Sequence, residues 1–151
     1  MAADFRAVFE RVADVMNRRD WDGFSRVFTE DYVEEYPQSG EVIRGLRNAV
    51  DVRRNYPGGL AEQGLDVASA RVAGSDAWVM TPRFTLVRAE GSDNIGTVMW
   101  RVRYPDGSIW WIVALYQLRG DRVERATMFF APVFDPPEWR APYRQESATG
   151  R

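Results

Sequence analysis

The chain of 151 residues contains neither cysteine nor histidine. Without cysteine there can be no disulfide, no thiol nucleophile and no thiolate metal ligand. Without histidine the usual general base, the commonest zinc ligand and the side chain that titrates near neutral pH are missing as well. The composition therefore predicts no metal site and no cofactor held through sulfur or imidazole.

Lysine is also absent, because all 20 basic residues are arginine, and the formal net charge is −2. A chain with this balance has no bulk positive field that would attract nucleic acid. It contains no run of 18 apolar residues, so no membrane-spanning helix is predicted. The first twelve residues are amphipathic and unlike a signal peptide. We therefore expect a cytoplasmic protein whose partners include neither nucleic acid nor a membrane.

The remaining composition is that of a globular domain, with 45% hydrophobic and 28% charged residues. A chain of this length buries about 70% of the surface of its unfolded state. We predict a single domain over residues 1–144 and a flexible tail over residues 145–151.

The first third of the sequence has helical periodicity. An apolar stripe with spacings of three and four residues predicts a first helix with Asp4 as its N-cap, and the stripe consists of Phe5, Val8, Phe9, Val12 and Met16. A short helix is predicted after Asp20, and a third helix after Gly45. Between the last two, one short strand carries Glu34, Glu35 and Tyr36.

After residue 65 the apolar period changes to two, which predicts strands. The predicted strands are Asp66–Ala73, Ala77–Ala89, Ile95–Tyr104, Ile109–Arg119 and Arg122–Ala131. Helices first and strands afterwards favour an α+β fold with an antiparallel sheet. Pro82 predicts an edge position or a bulge that bends the sheet.

Two turns predict the register of the last three strands. A two-residue loop at Gly120-Asp121 would set Tyr116 opposite Arg125, and a three-residue loop at residues 105–107 would set Trp100 opposite Ile112. One predicted face, which we expect to meet the helices, carries Val98, Trp100, Val102, Trp110, Ile112, Ala114, Tyr116, Thr127 and Phe129. The other carries Thr97, Met99, Arg101, Trp111, Val113, Leu115, Glu124, Met128 and Phe130.

The second face is apolar at its centre and polar around it. Such a patch is typical of a subunit interface, so we predict a homodimer. The alternative is a curved sheet that folds over part of its own outer face. A further prediction concerns the segment Phe134–Tyr143, which is too apolar for a free tail. We expect it to be ordered and to pack on the body of the domain or on the partner subunit.

The segments Val12–Gly45 and Glu124–Tyr143 resemble the SnoaL-like branch of the nuclear-transport-factor-2-like superfamily. The resemblance covers nearly the whole chain. It implies a cystatin-like α+β cone or barrel, in which a strongly curved antiparallel sheet wraps around the N-terminal helices and encloses a pocket.

The candidate catalytic residues are Glu35, Tyr36 and Tyr116. A carboxylate in an apolar cavity can act as a general base, and a phenol can donate to a developing oxyanion. The simpler interpretation is that the acids at the end of the strand are solvated.

Candidate ligand-binding residues are the pocket walls Trp100, Trp110, Thr127 and Phe129, together with Arg83, which could clamp a carboxylate. Buried aromatic residues are also the ordinary content of a core, and the sequence leaves both interpretations open.

The resemblance also allows a comparison with the catalytic sets of characterised relatives. The base of ketosteroid isomerase falls on Glu35, but its two oxyanion-binding residues fall on Val12 and Ala114. Arg83 matches the arginine of limonene epoxide hydrolase, and Thr85 stands in place of one of its aspartates. The polyketide cyclases and scytalone dehydratase require histidine.

Met128 stands in place of the second aspartate of the epoxide hydrolase. That match would turn Met128 inward, whereas the hairpin register turns it outward, and a slip of one residue would reverse either assignment. The resemblance thus supplies a fold and a pocket, and every characterised catalytic set is incomplete.

Two functions remain. The first is a small-molecule-binding protein, which as an enzyme would be a cofactor-free isomerase, cyclase or dehydratase that acts on an apolar substrate. The second is a non-catalytic dimeric module that binds an apolar ligand or another protein.

Overall fold

The structure, a computed structural model, describes residues 4–55, 84–103 and 108–146. These residues form an α+β fold with the helices at the N-terminal end and a six-stranded mixed sheet. The helices are α1 (Phe5–Arg18) and α2 (Leu46–Arg54), with 3₁₀ segments at Asp22–Arg26 and Glu138–Tyr143. The strands are β1 (Phe28–Tyr36), β2 (Glu41–Arg44), β3 (Phe84–Ser92), β4 (Ile95–Arg103), β5 (Ile109–Arg119) and β6 (Arg122–Pro132).

The order of strands in the sheet is β2-β1-β6-β5-β4-β3, and β1 runs parallel to β6 while every other pair is antiparallel. The prediction of a purely antiparallel sheet is therefore wrong. The sheet is also not strongly curled, which corrects the expectation of a cone. Turn residues specify only the pairing of consecutive strands, and β1 and β6 are joined by about 85 residues of chain. The predicted strand Asp66–Ala73 and Pro82 lie outside the described residues.

Helix α1 confirms the prediction from its apolar stripe. The Asp4 carboxylate accepts hydrogen bonds from the backbone N–H groups of Arg6 and Ala7, at 3.1 and 3.4 Å, and so caps the helix. The C-cap of the helix is Arg19, which directly follows Arg18 and adopts a left-handed conformation with φ of 54°. Its apolar face lies on the sheet, where the Phe9 ring centroid is 4.4 Å from that of Tyr116. This face and the sheet form the core.

The contact between α1 and the sheet requires glycine at one point. The Phe5 ring lies directly against the β4 backbone at Gly96, where a Cβ atom would come within 2.3 Å of Phe5 Cζ. No side chain fits at this distance, so the close approach of helix and strand depends on the glycine.

The register of the β4–β5 hairpin agrees with the prediction, because Trp100 lies opposite Ile112 and Val102 opposite Trp110. The loop Gly120-Asp121 also has two residues, since Arg119 pairs with Arg122. Farther along β5 and β6 the prediction is wrong. A bulge after Gln117 adds one residue to β6, so Tyr116 lies opposite Ala126 in place of Arg125.

This slip of one residue exchanges the two faces of β6. Met128 points inward and is 6% exposed, as the match to the epoxide hydrolase required. Thr127 and Phe129, which were expected to line the inner face, lie on the outer face, where they pair with Leu115 and Val113. Phe130, expected on the outer face, lies on the inner face and packs against the core.

The outer face of β5 and β6 keeps its apolar character. Val113, Leu115 and Phe129 are exposed by 38%, 51% and 42%, and they are adjacent in the register. We call these three residues, together with the half-buried Trp111, the outer patch.

None of the helices in the described part of the chain has the length and apolar character that a membrane crossing requires.

The segment after β6 contains the 3₁₀ helix Glu138–Tyr143, and the prediction that the segment is ordered in solution stays a prediction. Its three large aromatic residues do not pack on the body. Phe134 and Trp139 are each 70% exposed, and Tyr143 is 86% exposed. Docking on the body of the same chain is therefore the wrong expectation for these side chains, and docking on a partner stays a prediction.

Candidate functional site

Strand β1 supplies the polar centre of the inner face. Side chains alternate along a strand, so Tyr32, Glu34 and Tyr36 point to one side and Glu35 to the other. The Glu34 residue has no exposed surface, and Tyr32 is 1% exposed. A carboxylate at such a position requires partners, because burying an unpaired charge is prohibitively costly.

Four donors satisfy the Glu34 carboxylate. Oε1 accepts hydrogen bonds from the Tyr36 hydroxyl at 2.6 Å and from Arg53 Nη1 at 3.1 Å. Oε2 accepts from the Tyr32 hydroxyl at 3.0 Å and from Arg53 Nη2 at 2.8 Å. We call Glu34 and its three partner residues Tyr32, Tyr36 and Arg53 the Glu34 cluster. Its geometry is that of a two-point ion pair flanked by two phenols.

Helix α2 positions Arg53. Ala49 and Val50 are buried against the sheet, and Arg53 lies three and four residues later on the same helical face. Its guanidinium also donates to the Ala49 carbonyl at 2.8 Å, near the C-terminal end of α2 where a cation is favourable. The Phe24 ring lies 6.0 Å from the guanidinium carbon. The arginine is therefore fixed from three sides.

The ion pair controls the ionisation of both partners. Burial alone would raise the pKa of Glu34, but the charge and hydrogen bonds of Arg53 outweigh burial, and the Glu34 pKa lies below its ordinary value. Burial would likewise lower the pKa of Arg53, but the carboxylate of Glu34 raises it above its ordinary value. Both groups therefore stay charged at neutral pH, and Glu34 is a weak proton acceptor.

The two phenols of the cluster stay protonated. Burial, followed by the negative charge of Glu34, raises the pKa values of Tyr32 and Tyr36. Tyr36 is only partly buried, and its ring meets the Phe130 ring edge-on with centroids 5.5 Å apart. Tyr36 therefore lies at the border between the cluster and the less buried part of the inner face.

Tyr116 lies in the same row of the sheet as Glu34, with Ala126 between them. Its hydroxyl accepts a hydrogen bond from the Trp100 indole N–H at 3.2 Å. Burial raises the pKa of Tyr116 to about 12, so the hydroxyl keeps its proton. Among the described residues, with the side chains of residues 84–88 and 92 left aside, none accepts a hydrogen bond from this hydroxyl. In this part of the chain Tyr116 is thus a buried phenol whose hydroxyl receives one hydrogen bond and donates none.

Glu35 was expected in an apolar cavity as a candidate general base, but it does not face the inner side. Its carboxylate lies on the outer side of β1, where Arg125 Nη1 donates to it at 2.7 Å. The side chains of Glu35 and Arg125 are 32% and 48% exposed, as expected of a surface pair.

The other predicted site residues divide between the two faces. Trp100 is 4% exposed and packs in the core. Trp110 is partly buried near the start of β5, and its indole N–H donates to the Ser108 hydroxyl. Thr127 and Phe129 lie on the outer face. Arg83 lies outside the described residues.

Three partly buried aromatic residues border the Glu34 cluster on the inner face, and Tyr36 belongs to both groups. We call Tyr36, Trp110 and Phe130 the aromatic edge. Trp110 and Phe130 are diagonal neighbours on β5 and β6, because Ile112 pairs with Phe130 and Trp110 with Pro132. The inner face therefore passes from a sealed core around α1 to a polar cluster with an aromatic border.

The sequence reasoning missed Tyr32, Glu34 and Arg53. The pattern Tyr32-x-Glu34-x-Tyr36 is a signal that could have identified the inner face, because one face would hold two phenols and the acid that they bond. Arg53 follows the apolar residues Ala49 and Val50 by four and three positions. This helical spacing is a sequence signal that Arg53 lies on the inward face of α2. In the described ranges no group of three acidic residues could hold a metal ion.

Comparison with solved structures identifies the class. The fold is that of nuclear-transport-factor-2-like proteins. A protein of unknown function with this fold from Burkholderia xenovorans LB400 superposes with a TM-score of 0.71, at 24% identity over 95% of each chain. A putative ketosteroid isomerase from Kribbella flavida DSM 17836 also gives 0.71, at 22% identity over 99% of this chain and 96% of the other.

A third structure, an epoxide hydrolase of Mycobacterium tuberculosis that resembles limonene epoxide hydrolase, gives a TM-score of 0.54 at 14% identity, over 82% of this chain and 80% of the other. No curated protein matches the chain. The family model of the SnoaL-like domain matches residues 9–126. The protein belongs to the SnoaL-like domain family, as the sequence resemblance predicted.

Proposed function

We propose that the protein binds a small, mainly apolar molecule that carries one oxygen acceptor, and that the Tyr116 hydroxyl donates a hydrogen bond to that oxygen. The observation that carries the proposal is this buried hydroxyl, from which no described side chain or backbone group accepts a hydrogen bond. A buried donor without an acceptor costs about 1–3 kcal/mol. A ligand oxygen that accepts a hydrogen bond from Tyr116 would remove this cost. The site would therefore select ligands that carry a hydrogen-bond acceptor.

The surroundings of Tyr116 support an apolar ligand body. The rings of Phe9 and Trp100 lie beside it, and the aromatic edge continues the same face outward. Small-molecule sites are typically lined by aromatic side chains with a few fixed polar groups that orient the ligand. The Glu34 cluster supplies such a group of fixed charges in the same row of the sheet.

Binding is favoured over proton abstraction by a carboxylate. Each Glu34 oxygen already accepts two hydrogen bonds, and the pKa of Glu34 lies below its ordinary value. A general base near neutral pH needs a raised pKa and a free oxygen. In this proposal Glu34 orients the phenols and fixes the electrostatic field, and no cofactor is needed.

The second candidate is a cofactor-free isomerase, cyclase or dehydratase. One observation favours it, namely the 2.6 Å hydrogen bond from the Tyr36 hydroxyl to Glu34 at the border of the cluster. Tyr36 could accept a proton from a substrate carbon while it passes its own proton to Glu34, as Tyr116 polarises the substrate oxygen. The solved relatives named for isomerase and epoxide-hydrolase activity share only the fold with this chain.

The proposal can be tested with matched probes by NMR. Aryl ketones of one to three rings are compared with the hydrocarbons in which CH₂ replaces the carbonyl, such as acetophenone and ethylbenzene. The Trp100 indole N–H is the reporter, because its acceptor Tyr116 becomes a stronger acceptor when it donates onward. We expect at least one ketone to shift this resonance downfield and its hydrocarbon not to do so. Equal shifts with both, or no shift with any ketone, would refute the proposal.

We also propose that the protein is a homodimer that buries the outer patch. Three adjacent apolar side chains, exposed by 38–51%, form one contiguous patch. On the surface of a monomer, exposed apolar residues are normally scattered singly. The variant Leu115→Glu places a charge at its most exposed position, and Val42→Glu, on β2 and 48% exposed, is the matched control. Sedimentation should give a dimer for the wild type and the control, and a monomer for Leu115→Glu. A monomeric wild type at 100 μM would disprove the dimer.

A further inference from the structure

The segment after β6 is an apolar arm with a fixed backbone. We call residues 134–146 the arm. It leaves the sheet just after the Val133 N–H, which still bonds the Ile109 carbonyl at 3.1 Å. Pro136, Pro137 and Pro142 restrict its backbone, and the Arg144 guanidinium reaches back to the Pro136 carbonyl at 3.4 Å.

The arm exposes its aromatic side chains. Phe134, Trp139 and Tyr143 are 70–86% exposed, and every residue from Glu138 to Glu146 is exposed. A fully buried aromatic side chain removes about 150–250 Å² from water, so three of them at this exposure hold roughly 400–500 Å² of largely apolar surface. A segment with three prolines and this much exposed aromatic surface is suited to a partner, because a backbone restricted by proline loses less entropy when it docks.

The geometry points to a second copy of this chain as the partner: we infer that the arm of each copy packs its three aromatic side chains on the outer patch of the other. This inference rests on the proposed dimer and adds the element that completes its interface. The arm continues directly from β6, the strand that carries Phe129 of the outer patch, so both surfaces lie on connected parts of the molecule.

Area supports the same arrangement. A stable interface buries about 800 Å² on each partner. The arm supplies roughly half of that area, and the outer patch by itself consists of only four residues, so neither surface is sufficient alone. In a two-fold dimer each copy contributes one arm and one outer patch. The contact between arm and patch therefore occurs twice in the interface.

The first experiment measures the dimer dissociation constant by sedimentation equilibrium. The variant carries Phe134→Ser, Trp139→Ser and Tyr143→Ser, and these exposed positions leave the core untouched. The control carries Val42→Ser and Val52→Ser, which are 48% and 42% exposed elsewhere. We expect the arm variant to dissociate at least tenfold more readily than the wild type, and the control to match the wild type.

The second experiment tests whether the arm docks on the second copy of the chain. The chain has no cysteine, so Ala141→Cys carries a single environment-sensitive dye on the arm. A blue shift that rises with protein concentration, at the same midpoint as dimerisation, supports docking on the second copy. A dimer with unchanged affinity in the arm variant, or dye emission independent of concentration, would overturn the inference and leave the dimer standing. A monomeric wild type would overturn both.

Discussion

Glu34 and Arg53 form a two-point ion pair inside the protein, with Arg53 Nη2 2.8 Å from Glu34 Oε2 and Nη1 3.1 Å from Oε1. Strand β1 and helix α2 are thereby joined through a carboxylate that has no exposed surface. A buried pair of this kind gives little net stability over an apolar pair, yet the loss of one partner is expensive. The pair therefore acts as a fixed electrostatic element of the inner face.

Arg53→Met should destabilise the fold strongly. The substitution leaves the Glu34 carboxylate buried with only two phenol donors, and breaking a buried pair costs about 3–5 kcal/mol. Arg54→Met is the matched control, because Arg54 is the next residue of α2 and is exposed. Urea denaturation of both variants checks the prediction. A free energy of unfolding of Arg53→Met within about 1 kcal/mol of the control would contradict a buried charge pair.

A double variant separates the charge from the packing. Glu34→Gln combined with Arg53→Met leaves no buried charge, and the Gln carbonyl can still accept from Tyr32 and Tyr36. We expect it to recover about 1–3 kcal/mol relative to Arg53→Met alone, the range typical of coupled neighbours. No recovery would mean that the cost lies in the lost packing and hydrogen bonds of the guanidinium and not in the unpaired charge of Glu34.

The stability of the protein should depend on the ionisation of Glu34 in acid. The pKa of Glu34 is lowered in the folded state from its ordinary value of 4.5. The unfolded state then binds the proton first as the pH falls. The contribution of the Glu34 carboxylate to the free energy of unfolding is therefore complete above about pH 5. It is lost as the pH falls below 4.5 through the pKa of Glu34 in the folded state. The free energy of unfolding between pH 6 and pH 3 should fall more steeply for the wild type than for Glu34→Gln. Parallel curves would show that Glu34 does not titrate differently in the two states.

The neighbouring acids Glu34 and Glu35 should differ in their effect on ligand binding. Glu34→Gln weakens the hold on Tyr36 and Arg53 on the inner face, so we expect at least threefold weaker binding of the aryl ketone probe. Glu35→Gln changes only the surface pair with Arg125 and should leave the affinity within twofold. Isothermal titration of both variants measures this. The reverse order would restore Glu35 as the functional acid.

The fold was predictable where short-range signals act. The apolar stripe and Asp4 identified α1, and the turn between β4 and β5 fixed the pairing of Trp100 with Ile112. The β5–β6 hairpin shows the limit, because its two-residue turn was correctly identified but the bulge beside Gln117 left no recognisable sequence signal. One extra residue moved Thr127 and Phe129 to the opposite face.

The candidate site was less predictable because it depends on contacts distant in sequence. The parallel pairing of β1 with β6 sets which side of β1 is inner, and no turn specifies that pairing. Without it, Glu34 and Glu35 are equivalent strand residues. The partner of Glu34 comes from α2, nineteen residues later, and its helical phase becomes decisive only once β1 has been placed.

The most direct test of the account is the affinity of Tyr116→Phe for the ketone probe and for its matched hydrocarbon. A hydrogen bond between neutral groups contributes about 0.5–1.5 kcal/mol. The account predicts that the variant binds the ketone roughly three- to tenfold more weakly than the wild type and binds the hydrocarbon equally well or better. If Tyr116→Phe binds the ketone with unchanged affinity, the buried hydroxyl is not the ligand donor and the central claim is wrong.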